Sequence, residues 1–260
     1  MTRVLSALVL LPVVIGAVWF LQPIATLLLA CLAAILACFE YAAIAAALGA
    51  HVPRGLTVAA VLSACLVIGL GTRTVDVVLM TSVIAIGSLA VASGRPGPAI
   101  LRDAAVAVFP VVYIGMPLGA LAAVRVIGGR EAVLLLMGVI VVSDSAQYYT
   151  GRAFGRRPLA PTISPKKTLE GAIGGMVFGT LAMTVGARWV FQSPIWMLAL
   201  LGAAISLLGI VGDLFESLLK RSADIKDSSQ LIPGHGGVLD RIDSWLFAAP
   251  VYYVFVRWTA

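Results

Sequence analysis

The sequence predicts an all-α polytopic membrane protein of about nine transmembrane helices, with a polar site at the cytosolic face of its C-terminal half. Three observations carry that prediction. The 260-residue chain is 61% hydrophobic and 12% charged, and its mean hydropathy of +1.05 lies outside the range of a water-soluble domain. Its apolar residues run in segments near the ~20 residues that cross a hydrocarbon core. Its polar residues are gathered: the 32 positions from Gly212 to Asp243 hold six of the 12 acidic side chains, four of the 18 basic ones and one of the two histidines.

The apolar segments are Leu5 to Leu21, Ile24 to Leu48, Leu56 to Leu70, Val75 to Ala92, Ala104 to Val124, Ala132 to Tyr149, Gly171 to Ala187, Ile195 to Val211 and Ser244 to Trp258. They lack the period-2 alternation of barrel strands, so helices are the way to satisfy their backbone groups in lipid. We divide the chain into 1–103, carrying spans one to four, and 104–260, a catalytic region carrying spans five to nine with cytosolic loops 150–170 and 212–243. Arg3 to Phe20 resembles a signal peptide but lacks a small-residue cleavage site, and reads as an uncleaved first span. Cys31, Cys38 and Cys65 lie inside apolar runs without metal-ligand spacing. Glu40 and Tyr41, near the end of the second span, read as interfacial or interhelical residues, and His51 as a solvated loop residue. Pro110 and Pro117 mark kinks in the fifth span. The chain shows no inverted repeat of the kind transporters use.

With the N-terminus in the cytosol, thirteen basic residues fall inside: Arg3, Arg54, Arg95, Arg102, Arg152, Arg156, Arg157, Lys166, Lys167, Lys220, Arg221, Lys226 and Arg241. Five, Arg73, Arg125, Arg130, Arg188 and Arg257, fall outside. This bias fixes the orientation and puts every polar cluster on one face. The net charge of +6 is spread over short loops. It therefore speaks for orientation and anionic lipid, and against nucleic acid.

Three stretches carry candidate chemistry. The sixth span leaves the membrane through Ser143-Asp144-Ser145-Ala146-Gln147-Tyr148-Tyr149, and a carboxylate inside an apolar span needs a partner. Ser164-Pro165-Lys166-Lys167-Thr168 precedes the seventh span; Ser164 as N-cap and Pro165 as first helical residue would set two lysines at the positive end of a helix. From Gly212 the chain enters a stripe of Asp213, Ser217, Lys220, Asp224 and Asp227 if the helix continues. It then passes Pro233-Gly234-His235-Gly236-Gly237 and reaches Asp240 and Asp243 at the start of the last span.

Asp213 and Asp240 sit at the membrane edge on the two arms of one excursion, where folding back would bring them to one point. Hard oxygen ligands of this kind suit Mg²⁺. Lys166, Lys167, Lys220, Arg221 and Arg241 supply a cationic rim, and an acidic metal cradle inside such a rim is what phosphoryl or nucleotidyl transfer requires. Asp224 and Asp227 flank Lys226 and read equally well as ion-pair partners. His235 reads as a phosphate donor or as a turn residue. P-loop and zincin patterns do not occur.

Ser217-Leu218-Leu219-Lys220-Arg221, then Lys226-Asp227, then Pro233 to Asp243 as PGHGGVLDRID resembles the signature of the phosphatidate cytidylyltransferases, or CDP-diacylglycerol synthases. Ser164 to Gly171 and Asp144 to Gly155 resemble two further blocks of that family, with Gln147 standing where a small residue is expected. The resemblance covers roughly the C-terminal half. Charge distribution and hydropathy lead us to expect a bacterial cytoplasmic (inner) membrane, an active site facing the cytosol and no nucleic-acid partner; the resemblance implies an enzyme there that joins CTP to phosphatidic acid with Mg²⁺, alone or with a second cation, with a homodimer as one expected state. It implies Asp213 and Asp240 as metal ligands with Asp144 as a third, and Lys220 and Arg221 beside them in catalysis. Ser164, Lys166, Lys167, Thr168, Ser217, Lys226, Asp227, His235, Gly236, Gly237, Arg241 and Asp243 are implied as contacts to phosphate, nucleotide or headgroup. Among rivals, the D-G-x-x-A-R pattern of CDP-alcohol phosphotransferases is absent. A polyprenol kinase would release CDP instead of pyrophosphate, and a transporter would carry ionisable residues near the midplane of several spans.

Overall fold

The computed structural model describes residues 2–72, 74–94, 96–231 and 236–259, with side chains from Leu11 onward. Each apolar segment falls on a helix: α1 (Thr2–Phe20), α2 (Pro23–Ala47), α3 (Arg54–Gly69), α4 (Val75–Ala92), α5 (Ile100–Pro110) with α6 (Met116–Ile127), α7 (Gly129–Phe154), α8 (Leu169–Gly186), α9 (Ile195–Ser222) and α10 (Leu239–Thr259). Among the described residues six helices are long and apolar enough to cross a membrane: Pro23–Ala47, Val75–Ala92, Ile100–Ile127, Gly129–Phe154, Leu169–Trp189 and Ile195–Ser222. Leu11–Phe20 and Arg54–Gly69 are shorter apolar helices. Large apolar side chains such as Leu28, Met80, Ile84, Val91 and Val254 stand exposed, as a lipid-facing surface requires and a water-facing one would not allow on this scale.

The chain divides into two compact units, Met1–Ala123 with Ser222–Arg241, and Val124–Arg221 with Ile242–Ala260. This division by compactness differs from the boundary at 103/104 drawn from the sequence.

In the first unit α2, α3 and the fifth apolar segment pack closely because small residues face one another. A Cβ on Gly115 would stand 2.6 Å from the Val61 carbonyl oxygen, and one on Gly119 would stand 2.7 Å from that of Cys65. The fifth segment carries a π-helical turn, Val111–Gly115, that directly follows Pro110. Proline removes a backbone donor, and a π turn is one way to absorb the gap. Tyr41 donates to the Val106 carbonyl at 3.1 Å, tying α2 to α5.

In the second unit α7 and α8 form an antiparallel pair with small residues at the seam. Gly171, Gly175 and Gly179 recur every four residues along α8 and so lie on one face. Their absent side chains are met by Ser143, Gln147 and Gly151, also four apart, on α7. Gln147, the departure from the family pattern, is therefore accommodated: its side chain lies over Gly175. Tyr252 of α10 donates to the Ala132 carbonyl of α7 at 2.8 Å.

Two local expectations are corrected. Ser164 does not cap α8; residues Ser164–Thr168 form strand β2, paired antiparallel with β1 (Pro158–Ala160), with Ala160 opposite Ser164. The cap is Thr168, whose Oγ1 accepts the Gly171 N–H at 3.1 Å. Pairing in the hairpin keeps 164–168 extended, so the helix can begin only after it. The stripe from Asp213 to Asp227 is also cut short, because α9 ends at Ser222 and Asp224 has a left-handed φ of 55° that no helix continues through.

The glycine seam makes a direct prediction. A Cβ on Gly175 would meet the Gln147 side chain and stand 2.9 Å from the Ser143 carbonyl oxygen, which cannot rotate away. Gly175→Val should cost about 1–3 kcal/mol by overpacking, read as a lowered melting temperature in detergent. At Gly209 the nearest contact is Ser244 Cβ at 3.7 Å, so Gly209→Ala should leave that temperature unchanged or raise it.

Candidate active site

In the second unit, polar residues arrive from three helices and one strand. Asp213 follows Gly212 on α9, and this glycine has no room for a side chain: a Cβ would stand 2.5 Å from the Asp243 carbonyl oxygen. The close crossing brings Asp243 of α10 into the neighbourhood of Asp213. Asp144 comes from α7, one turn before Gln147, whose side-chain amide donates to Asp144 Oδ1 at 3.2 Å. Asp144, Asp213 and Asp243 lie within electrostatic range of one another and of Lys167. Lys167, at the end of β2, forms an ion pair with Asp213 Oδ2. Ser217, one turn along α9, places its hydroxyl 3.5 Å from Asp213 Oδ1.

Lys167 is a cation that Asp144, Asp213 and Asp243 share. The side chains of Lys167 and Asp213 remain 23% and 31% exposed, so a ligand can reach them. Such a cluster of hard oxygens fits Mg²⁺, which takes one or two carboxylates and fills its shell with water and phosphate oxygens. Among the described residues no three His, Cys, Asp or Glu side chains form a ready metal-binding group. An ion here would therefore draw its remaining ligands from water and substrate.

The neighbouring cations have different surroundings. Lys166 is exposed on β2. Lys220 is buried and forms an ion pair with the fully buried Glu216 one turn before it. Glu216 was missed by sequence reasoning, although its i, i+4 spacing to Lys220 was the available signal. Arg221 is exposed, with its Nε donating to the Ile163 carbonyl at 3.4 Å. Ser164 is half-buried at the start of β2, and Thr168 is engaged in capping α8. Glu170 accepts the backbone N–H groups of Arg156 and Arg157 at 3.0 and 3.2 Å, which fixes the entry to the hairpin.

In the first unit, Asp240 sits in the first turn of α10 and turns back on the preceding loop. Its Oδ2 accepts the Ser228 N–H at 2.9 Å, the Ser228 hydroxyl at 2.8 Å and the Gly237 N–H at 2.7 Å. Gly236 has a φ of 79°, a conformation that favours glycine. Lys226, Asp227 and Arg241 are exposed. His235 lies outside the described residues.

Glu40 also belongs to this group, and the sequence reading gave it no role beyond an interfacial or interhelical one. It is 6% exposed and accepts from the Ser228 and Ser229 hydroxyls at 3.0 and 2.6 Å, and from the Val238 and Leu239 N–H groups at 3.0 and 2.7 Å. The signal was present: a carboxylate within an apolar helix calls for partners, at position 40 as at 144.

The arrangement is that of a helical, polytopic membrane protein with a carboxylate and lysine cluster beside a two-stranded hairpin that carries Lys166 and Lys167. The chain is a member of the cytidylyltransferase family, whose model matches residues 1–259. It is 47% identical over 130 residues to a phosphatidate cytidylyltransferase of Synechocystis, an alignment covering 49% of this chain and 44% of that protein. Against the Staphylococcus haemolyticus protein of the same name it is 38% identical over 155 residues, 59% of each chain. Against that of Bacillus subtilis it is 40% identical over 146 residues, covering 55% of this chain and 54% of the other. The chain thus spans about half the length of the curated relatives it matches.

The ion pair on α9 makes a prediction about Lys220. Removing one partner of a buried pair leaves a charge uncompensated at a cost of about 3–5 kcal/mol, whereas replacing both by apolar groups is near neutral. Lys220→Met should therefore lower the unfolding temperature sharply, and the double change Glu216→Leu with Lys220→Met should recover most of it. Activity assayed per folded molecule in the double variant then reads whether Lys220 also serves the substrate.

Proposed function

We propose that this protein is a phosphatidate cytidylyltransferase that transfers a cytidylyl group from CTP to phosphatidic acid, forming CDP-diacylglycerol and pyrophosphate for phospholipid synthesis. The observation that carries the reading is the meeting of Asp144, Asp213 and Asp243 with Lys167 in a chain of the cytidylyltransferase family. Carboxylates alone would suit a cation, and lysines alone an anion. Both together suit an anion that arrives with its cation, as a nucleoside triphosphate does.

In the proposed reaction an oxygen of the lipid phosphomonoester forms a bond to the α-phosphorus of CTP, and the bond from that phosphorus to the bridging oxygen of the β-phosphate breaks. Pyrophosphate leaves with the electron pair. The attacking phosphate is already an anion, so positioning and charge neutralisation dominate over general-base chemistry. Lys167 is the cation closest to the carboxylates, and the exposed Lys166 and Arg221 add charge along the hairpin. Asp213, with Asp144 and Asp243 in electrostatic range, would offer oxygen to Mg²⁺, and the bound ion would neutralise phosphate oxygens. The assignment of Asp240 as a further ligand rests on its place in the sequence motif. The thirteen-to-five distribution of basic residues supports nine spans in a cytoplasmic membrane with the polar face toward the cytosol.

Purified protein given CTP, phosphatidate and Mg²⁺ should release pyrophosphate and form CDP-diacylglycerol. Chelation with EDTA should stop the reaction, and added Mg²⁺ should restore it. Asp213→Asn and Asp240→Asn should each lower kcat by roughly 10²-fold or more, the scale of losing a group that stabilises transition-state charge. Release of CDP in place of pyrophosphate would identify a kinase instead, and an undiminished Asp213→Asn rate would remove that residue from the chemistry.

A further inference from the structure

The first apolar helices of the chain contribute one buried acid whose whole bonding capacity is directed at the loop carrying Asp240. Glu40 lies on α2, a helix long and apolar enough to cross a membrane, where a lone carboxylate is strongly disfavoured. Its four donors are two hydroxyls and two backbone amides, each carboxylate oxygen taking one of each kind. The two amides, Val238 and Leu239, stand at the N-terminal end of α10, where N–H groups have no intrahelical acceptor and the helix dipole favours an anion. Glu40 therefore caps α10 from a residue about two hundred positions away in sequence.

Asp240, one residue into that helix, is linked to the same contacts. The Ser228 hydroxyl stands 3.0 Å from Glu40 Oε2 and 2.8 Å from Asp240 Oδ2, and its single proton serves one of them at a time. Gly237 separates the two acids: a Cβ there would collide with both the Ser228 hydroxyl and Glu40 Oε1. The glycine of the PGHGG run is thus required inside the protein, to let Glu40 reach the helix end.

We infer that Glu40 is a positioning residue for the proposed transfer: it fixes the turn from Gly236 to Leu239 and thereby the orientation of the Asp240 carboxylate. The inference rests on the function proposed above. Glutamine is an informative replacement, since it keeps the volume but turns an NH₂ group against one of the donors.

The test uses the full chain in detergent with lipid. Glu40→Gln should lower kcat and raise the Mg²⁺ concentration for half-activity, by roughly 10- to 100-fold in total, as losses of outer-shell partners do, while KM for phosphatidate stays put. Glu40→Asp should recover part of the loss. Hydrogen exchange should show the Val238 and Leu239 amides losing protection in Glu40→Gln, with the α7 and α8 amides unaffected. Ser229→Ala, which removes one donor without touching Asp240, should shift the same quantities less, and it answers the question if Glu40→Gln does not fold. Unchanged amide protection, or lost protection with wild-type kcat and Mg²⁺ dependence per folded molecule, would overturn the role. A wild-type chain silent with CTP and phosphatidate would instead overturn the functional reading, and the inference with it.

Discussion

A carboxylate set among apolar helices must find either hydrogen-bond donors or a cation, because an isolated charge in a low-dielectric medium is far costlier than the few kcal/mol that hold a fold together. This chain meets the demand in three ways. Glu40 gathers four donors, two of them from a helix end. Glu216 takes an ammonium one turn away on its own helix. Asp144, Asp213 and Asp243 gather around Lys167, with the Gln147 amide donating to Asp144 and the Ser244 N–H to Asp243. The first two lie away from solvent, whereas the Asp213 and Lys167 side chains of the third remain partly exposed, and that access separates a site that can receive a ligand from acids that only hold structure.

Close helix packing is what allows such acids to be brought together. Lipid gives helices little hydrophobic reason to associate, so seams of small residues supply contact instead. The stripe of Gly171, Gly175 and Gly179 holds α8 against the face of α7 formed by Ser143, Gln147 and Gly151, with Asp144 directly after Ser143, and Gly212 admits α10 against α9 beside Asp213. A mutation in the seam would therefore act on the site through helix spacing even without touching a charged group.

Much of the fold was legible in the sequence. All nine apolar segments lie on helices, because span length and hydropathy are local properties. The motif at 212–243 marked out Asp213, Asp240 and Asp243 by charge density in an apolar chain, with Asp213 and Asp240 read as the metal pair. What escaped was set by tertiary contact. Ser164-Pro165 carries a good capping signal, yet the strand pairing of 158–168 overrides it and passes the cap to Thr168. The helical stripe beyond Lys220 fails because Asp224 adopts a left-handed conformation, which composition does not announce. Glu40 stayed unassigned because its partners lie at 228–239, and no periodicity within α2 points there.

The same distinction bears on how basic residues near a motif should be counted. By sequence, Lys166, Lys167, Lys220 and Arg221 are equivalent cations in two adjacent blocks. In the structure one is exposed, one is paired with a carboxylate of the cluster, one is buried against Glu216 and one reaches a backbone carbonyl. A lysine whose partner is a fully buried acid cannot leave it without stranding that charge, so Lys220 contributes field more readily than direct contact. Lys167 is different: its partner Asp213 is partly exposed, and an arriving cation could take over the carboxylate and free the ammonium for phosphate. In that exchange Asp213 is never left without a cation and Lys167 never without an anion.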